Sequence, residues 1–328
     1  MRALAKGRPS PDGVASLFLA VDGGGSKTQA VVVDSYGAVC GRGTAGSSNL
    51  RAIGVEQALA QLRAAIAEAL PTDVRCDVHT AWFGLSGIHG ADGANLLAPH
   101  LLSVAREVAI TNDAEFALAG LDSGPGVALI AGTGSIALGR DASGQIIQVG
   151  GWGHLLGDEG SAYDIGRRAA QAAARAADGR GPTTALLRLV LERWGLATPR
   201  QMIEHVYLTQ EKAPIASLAP GVFEVARRGD HVARMIRRHA CEELAQATIA
   251  VIDTLDVAGQ VPLILGGGLL IHERDLRAAV VARIRRRRAL GRVTLVKEPA
   301  LWAARSLAAR ANALSGNGAA VEETESVL

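Results

Sequence analysis

Short unbroken apolar runs, set off by glycine clusters, alternate along this chain with stretches whose apolar residues recur at helical spacing. Leu17 to Val21 and Ala30 to Val33 are runs of strand length. The segment between them, Asp22-Gly23-Gly24-Gly25-Ser26-Lys27-Thr28, reads as a tight hairpin turn. Val127 to Ile130 and Ile136 to Leu138 repeat the arrangement around Ala131-Gly132-Thr133-Gly134-Ser135. Each hairpin is followed by a D-x-x-G turn, Asp34-Ser35-Tyr36-Gly37 in the first and Asp141-Ala142-Ser143-Gly144 in the second, and then by a third strand. The order strand, loop, strand, turn, strand thus occurs twice, an internal repeat that predicts two halves of like construction.

Further strands are expected at Thr80–Leu85, Val108–Asp113, Pro262–Leu265 and Val293–Val296. Helical spacing predicts helices over Val55–Leu70, where Ala58, Leu59, Leu62, Ile66 and Leu70 share a face, and over Ala114–Leu121 and Ala162–Ala177. Helices are also expected over Thr184–Trp194, Pro199–Leu208, Pro214–Arg227, His231–Leu255 and from Glu298 onward. Ala94–Val104 is weakened by Pro99. The expectation is an α/β chain. A tail at 1–16 leads into a first lobe at 17–114, completed by helix 299–314, then a larger, more helical second lobe at 115–298 and a disordered tail at 315–328.

Composition narrows the function. The 328 residues, 48% of them hydrophobic, suffice for two cores. The 34 basic and 32 acidic residues nearly cancel, giving net +2, so neither nucleic acid nor a membrane surface is indicated as partner. The run Arg285–Arg288 follows a helical pattern and reads as a solvated helix end. Cys40, Cys76 and Cys241 lack C-x-x-C spacing, which argues against a disulfide framework or zinc site and suits a reducing cytoplasm. The first sixteen residues lack an apolar signal core, and no apolar run approaches the ~18 residues of a membrane span.

The glycine clusters carry the candidate chemistry. Backbone free of side chains brings its N–H groups close to an anion, so the loops at Gly23-Gly24-Gly25-Ser26-Lys27-Thr28 and Gly132-Thr133-Gly134 suit phosphates. Neither is a Walker or dinucleotide loop, because each turns into a strand instead of opening a helix. Asp22, ending a buried strand, suits a hydrated Mg²⁺ beside such a phosphate. Gly266-Gly267-Gly268 ends the Pro262–Leu265 strand where an adenosine could lie on bare backbone. Ser86-Gly87 follows a strand at its carboxyl end, where open α/β sheets place ligands. Asp113 stands where a strand meets a helix, and Gly150–Ser161 is too rich in glycine and charge for core packing.

Together these strings resemble the actin-like sugar kinase and heat-shock ATPase superfamily. Within it they look like the N-acetylglucosamine kinase branch of the BadF/BadG/BcrA/BcrD ATPase family, from about Leu17 to about Asn312. The resemblance implies two ribonuclease H-like lobes around a cleft that closes on its ligands, with ATP and Mg²⁺ as cofactors and a small amino sugar as substrate. A homodimer is expected. Asp113, in Thr111-Asn112-Asp113-Ala114, would be the catalytic base. Asn49, Ser86, Gly87, Trp152, Gly153 and Asp158 would bind or shape the sugar pocket. His154, with no second histidine or cysteine at metal spacing, reads as structural. The reaction implied is ATP-dependent phosphorylation of the 6-hydroxyl of N-acetylglucosamine, with glucosamine or N-acetylmuramic acid as alternative substrates. A dehydratase activator needs paired cluster thiolates, which the three cysteines do not supply by spacing. A DNA-binding sugar sensor needs a helix-turn-helix that the short tail cannot hold.

Overall fold

The computed structural model describes residues 5–6, 16–25, 27–70, 77–88, 90–121, 124–209, 212–255, 257 and 259–314. Ser26, Cys76, most of the N-terminal tail and the tail from Ser315 lie outside the described residues. The chain divides into two compact units, one of Met1–Ser123 with Glu298–Glu325 and one of Gly124–Lys297.

Unit 1 is built on a sheet of β1 (Ala5–Lys6), β2 (Ser16–Gly23), β3 (Thr28–Val33), β4 (Val39–Ala45), β5 (Asp77–Leu85) and β6 (Glu107–Thr111). Its order is β1-β6-β5-β2-β3-β4. β2, β3 and β4 form an antiparallel meander, while β5 and β6 run parallel to β2. The central strand β2 is apolar on both faces because both are covered. Leu17, Leu19 and Val21 pack with α2 (Val55–Ala69), which follows the one-turn helix α1 (Leu50–Ile53), and α3 (Gly90–Leu101) adds Leu97 and Leu101 to that layer. Phe18 and Ala20 face the other way. They pack on Phe116 and Ala119 of a 3₁₀ helix, Asp113–Leu121, and on Ala300, Ala303, Ala304 and Ala308 of the C-terminal helix, Pro299–Leu314.

Unit 2 carries β7 (Gly126–Ala131), β8 (Ser135–Arg140), β9 (Ile146–Gly150), β10 (Val261–Gly266) and β11 (Leu290–Leu295), in the order β11-β10-β7-β8-β9. Its helices are α4 (Ala162–Ala177), α5 (Leu186–Trp194), α6 (Gln201–Thr209), α7 (Lys212–Ala216), α8 (Ala219–Arg227), α9 (His231–Leu255), α10 (Gly268–His272) and α11 (Arg274–Arg285). The polarity repeats that of unit 1: β7, β8 and β9 are antiparallel, and β10 and β11 run parallel to β7. Core residues Val127, Leu129, Leu263 and Leu265 pack with Ile165, Leu244, Val280 and Ile284.

The repeat read from the sequence extends to individual hydrogen bonds. Asp34 Oδ1 accepts from the N–H groups of Tyr36 and Ala38, and Asp141 Oδ1 accepts from those of Ser143 and Gln145, each at 2.8–2.9 Å. These are Asx turns, in which the aspartate side chain replaces a backbone acceptor. Three expectations need revision. The unit boundary falls at Ser123/Gly124 and not after residue 114, because the 3₁₀ helix buries Phe116 and Ala119 in the unit 1 core. Pro214–Arg227 is divided between two helices, since Pro220, in the first turn of α8, has no N–H to continue α7. Ala5–Lys6, read as tail, pairs antiparallel with β6. Among the described residues no helix is long and apolar enough to cross a membrane.

Candidate active site

In unit 1 the hairpin brings Asp22 to the end of β2, in register with Gln29 of β3 and Gly84 of β5. The turn closes with Gly24 N–H donating to Lys27 O at 2.9 Å. Asp113 opens the 3₁₀ helix immediately beyond β6, where its Oδ1 accepts from Ala114 N–H at 2.9 Å. Both carboxylates keep a little exposed surface, yet protein surrounds them on most sides. Burial therefore pushes Asp22 up to about 7, with the negative charge of Asp113 adding to the rise and Lys27 opposing it. Asp113 is pushed up to about 6, again mainly by burial, and hydrogen bonds from backbone pull it partly back.

The loops next to this pair hold the other unit 1 candidates. Asn49 caps α1, its Oδ1 accepting from Arg51 N–H at 3.1 Å and Ala52 N–H at 3.3 Å. A Cβ at Gly87 would meet Asn49 Oδ1 at 2.6 Å, and one at Gly25 would meet Asn49 Nδ2 at 3.8 Å. Asn49 thus sits between the hairpin and the loop after β5. Ser86 N–H donates to Gly23 O at 2.8 Å, while the Ser86 hydroxyl is buried with no hydrogen-bond partner among the described residues. A buried hydroxyl without a partner is costly, which makes Ser86 a candidate contact for a ligand. Thr28 differs from expectation: it is fully buried, with Oγ1 2.7 Å from Gly46 O and 2.8 Å from Ser48 Oγ. Its single proton goes to the carbonyl and it accepts from Ser48, so its side chain closes the fold behind the loop. Lys27 is exposed.

In unit 2 the second loop is pinned from below. Gly132 N–H donates to Gly134 O at 2.9 Å, Gly132 O accepts from Ala162 N–H at 2.9 Å, and Thr133 is left exposed at the crest. Gly267 takes φ +85°, and a Cβ there would lie 2.3 Å from Ala131 O; Gly268 N is 3.6 Å from where a Gly132 Cβ would be. The Gly266–Gly268 turn and the Gly132–Gly134 loop therefore adjoin along bare backbone. Asp158 is buried at φ +62°, the one non-glycine among the described residues at positive φ. Its Oδ1 accepts from Ser135 N–H at 3.2 Å, and its Oδ2 meets Lys212 Nζ at 3.3 Å. Strained backbone held by two partners is typical of a functional loop. Trp152 stands 74% exposed, and Gly153 has open space around it. His154 stacks edge-on against Tyr163 at 5.1 Å, and burial, then Lys212, hold its pKa down, in keeping with a neutral structural ring.

Lys212 and the unpartnered state of Ser86 were not foreseen. Lys212 lies 54 residues from Asp158 and carries no local signal. A divalent cation fits the unit 1 carboxylates on electrostatic grounds, because a positive charge relieves both the burial cost and the repulsion between them. Among the described residues no group of three or more His, Cys, Asp or Glu could cage a metal.

The chain is 34% identical to an N-acetyl-D-glucosamine kinase of Dictyostelium discoideum over 270 residues, 77% of this chain and 85% of that protein. It is 32% identical to an N-acetylmuramic acid/N-acetylglucosamine kinase of Clostridium acetobutylicum over 259 residues, with the same shares covered. A Chromobacterium violaceum protein, described as a candidate N-acetylglucosamine kinase, superposes with TM-score 0.68 at 28% identity, over 90% of this chain and all of that one. The structural likeness bears out the actin-like sugar kinase fold that the resemblance implied. The family profile spans residues 19–299, and the chain belongs to the BadF/BadG/BcrA/BcrD ATPase family.

Proposed function

We propose that this protein is an ATP-dependent kinase that phosphorylates the 6-hydroxyl of N-acetylglucosamine. The observation that carries the reading is the unit 1 pair Asp22 and Asp113, raised to about 7 and about 6 beside a buried hydroxyl, Ser86, that lacks a partner. A carboxylate lifted toward neutral pH is a better base than an ordinary one while still mostly ionised there. Asp113 accepts the proton of the 6-hydroxyl as that oxygen bonds to the γ-phosphorus and the bond from phosphorus to the β-bridging oxygen breaks. Ser86, Asn49 and Asp158 hold sugar hydroxyls. Backbone N–H groups of Gly23–Gly25 and Gly132–Gly134 steady the phosphates, and the Gly266–Gly268 turn receives the adenosine. Asp22 would hold Mg²⁺ through water, and the ion would neutralise charge on the phosphates. Most of the catalysis is then positioning and electrostatics.

The names of the two kinase relatives support an amino sugar substrate. The test is ADP release from ATP with N-acetylglucosamine, glucosamine and N-acetylmuramic acid, with ³¹P NMR of the product. The expected result is highest kcat/KM on N-acetylglucosamine and a 6-phosphate ester. No ADP release with any of the three, or phosphate on another oxygen, overturns the proposal.

A further inference from the structure

Helices α9 and α11 pack side by side in unit 2, and their arginines converge on the groove between them. The groove has a volume of about 680 Å³ and is lined by Arg234, Arg237 and Arg238 of α9, with Arg283 and Arg286 from α11 and the residue that caps it. Room for it comes from small side chains, since Ala278, Ala279 and Ala282 face the groove where longer residues would fill it. Two of the cations are occupied in part: Arg283 pairs with Glu242 at 3.2 Å, and Arg234 Nε donates to Ala226 O at 3.2 Å. The guanidiniums of Arg237, Arg238 and Arg286 have no carboxylate or hydrogen-bond partner among the described residues. One carboxylate, Asp275, also lines the groove. The same arginines reach the buried thiol of Cys241: burial pushes its pKa up and Glu242 adds to the rise, while Arg283, Arg237 and Arg286 pull it down.

Like charges brought together with few counter-charges favour an anion, and guanidinium forks match phosphate oxygens better than they match a single carboxylate. The volume lies in the range of small-molecule sites, about 300–1,000 Å³. A chain of net charge +2 has no broad field for a long polyanion. We propose that the α9–α11 groove binds a small anion carrying two or more phosphate groups. None of its lining residues belongs to the candidate active site, so occupancy is separable from turnover. The arginine run read from the sequence as a solvated helix end thereby divides in two, with Arg286 in the groove and Arg285 and Arg287 outside it.

That division supplies the control. With ATP analogue and N-acetylglucosamine both saturating, inorganic tripolyphosphate is titrated calorimetrically into the wild-type chain, an Arg237→Gln/Arg286→Gln variant and an Arg285→Gln/Arg287→Gln variant. The expected result is one tripolyphosphate per wild-type chain and affinity at least tenfold weaker in the groove variant. The charge-matched control should stay within threefold, and all three proteins should keep the same melting temperature. Binding rather than turnover is read, so the outcome stands apart from the kinase assignment. Absence of a binding event, equal loss in both variants, or tighter binding of a single-stranded oligonucleotide than of tripolyphosphate overturns the proposal.

Discussion

Units 1 and 2 share five strands in one order and polarity, and even the same Asx turns, yet they treat negative charge in opposite ways. In unit 2 the residue before the glycine loop is Ala131, and the nearby carboxylate, Asp158, is answered by Lys212 and a backbone N–H. In unit 1 the equivalent position is Asp22, and it confronts a second carboxylate, Asp113. One scaffold has thus been made quiet in one copy and electrostatically frustrated in the other. Frustration of this kind is the usual mark of chemistry.

The sharpest break of the comparison is Asp113→Asn. If the unit 1 pair does the proton transfer, turnover falls by roughly 10³-fold or more while circular dichroism and sugar affinity hold, since a general base contributes about 10² to 10⁴. Turnover within tenfold of wild type would remove Asp113 from the mechanism.

Next comes the pH dependence of stability. Both carboxyls have folded-state values above the ordinary 3.8, so between that value and about 7 the folded chain binds more protons than the unfolded one. Their contribution is fully present below that window and is lost as pH rises through it. Urea midpoints of the wild type should therefore decline from about pH 4 toward pH 7, the share of Asp22 alone reaching at most about 4 kcal/mol. Asp22→Asn should flatten the decline and weaken Mg·ATP use, with sugar affinity nearly intact. An unchanged slope would mean that the two carboxylates are not in conflict.

Gly267→Ala probes unit 2. The added Cβ meets the Ala131 carbonyl at 2.3 Å in a backbone conformation unsuited to alanine, so a loss on the order of 2–3 kcal/mol and weaker nucleotide binding are expected. Gly153→Ala, at similar φ but with open space, should lose less, and equal losses would show that crowding is not the reason. The smallest effect is expected from Ser86→Ala. Removing an unpartnered buried hydroxyl should leave the free protein as stable or about 1 kcal/mol more so, yet raise KM for the sugar several-fold. A destabilised protein with unchanged KM would make Ser86 structural.

How far the sequence could be read follows the range of the interactions. Strand runs, glycine turns and the Asx turns are local, and their positions agree within a few residues with the structure; His231–Leu255 agrees at both ends. The misplaced boundary at residue 114 has a plain cause. Ala114–Leu121 is apolar enough to belong to either core, and only packing against the C-terminal helix decides. Candidate residues at strand ends could be located from position, but their state could not. That Thr28 turns inward, that Asp158 has a lysine, and that Ser86 lacks a partner all depend on residues distant in sequence.

The return of the C-terminal helix to unit 1 has a consequence for synthesis. The core residues of unit 2 lie between Val127 and Val293 and can pack once residue 297 has left the ribosome, whereas unit 1 must wait for Ala300, Ala303, Ala304 and Ala308. At about 5–20 residues per second, the interval between Ser123 and the end of that helix is roughly 10–40 s. Throughout it Phe18, Trp82 and Phe116 lack their cover. The half that carries Asp22 and Asp113 is begun first and finished last, so the nascent chain should call on chaperones for its N-terminal half.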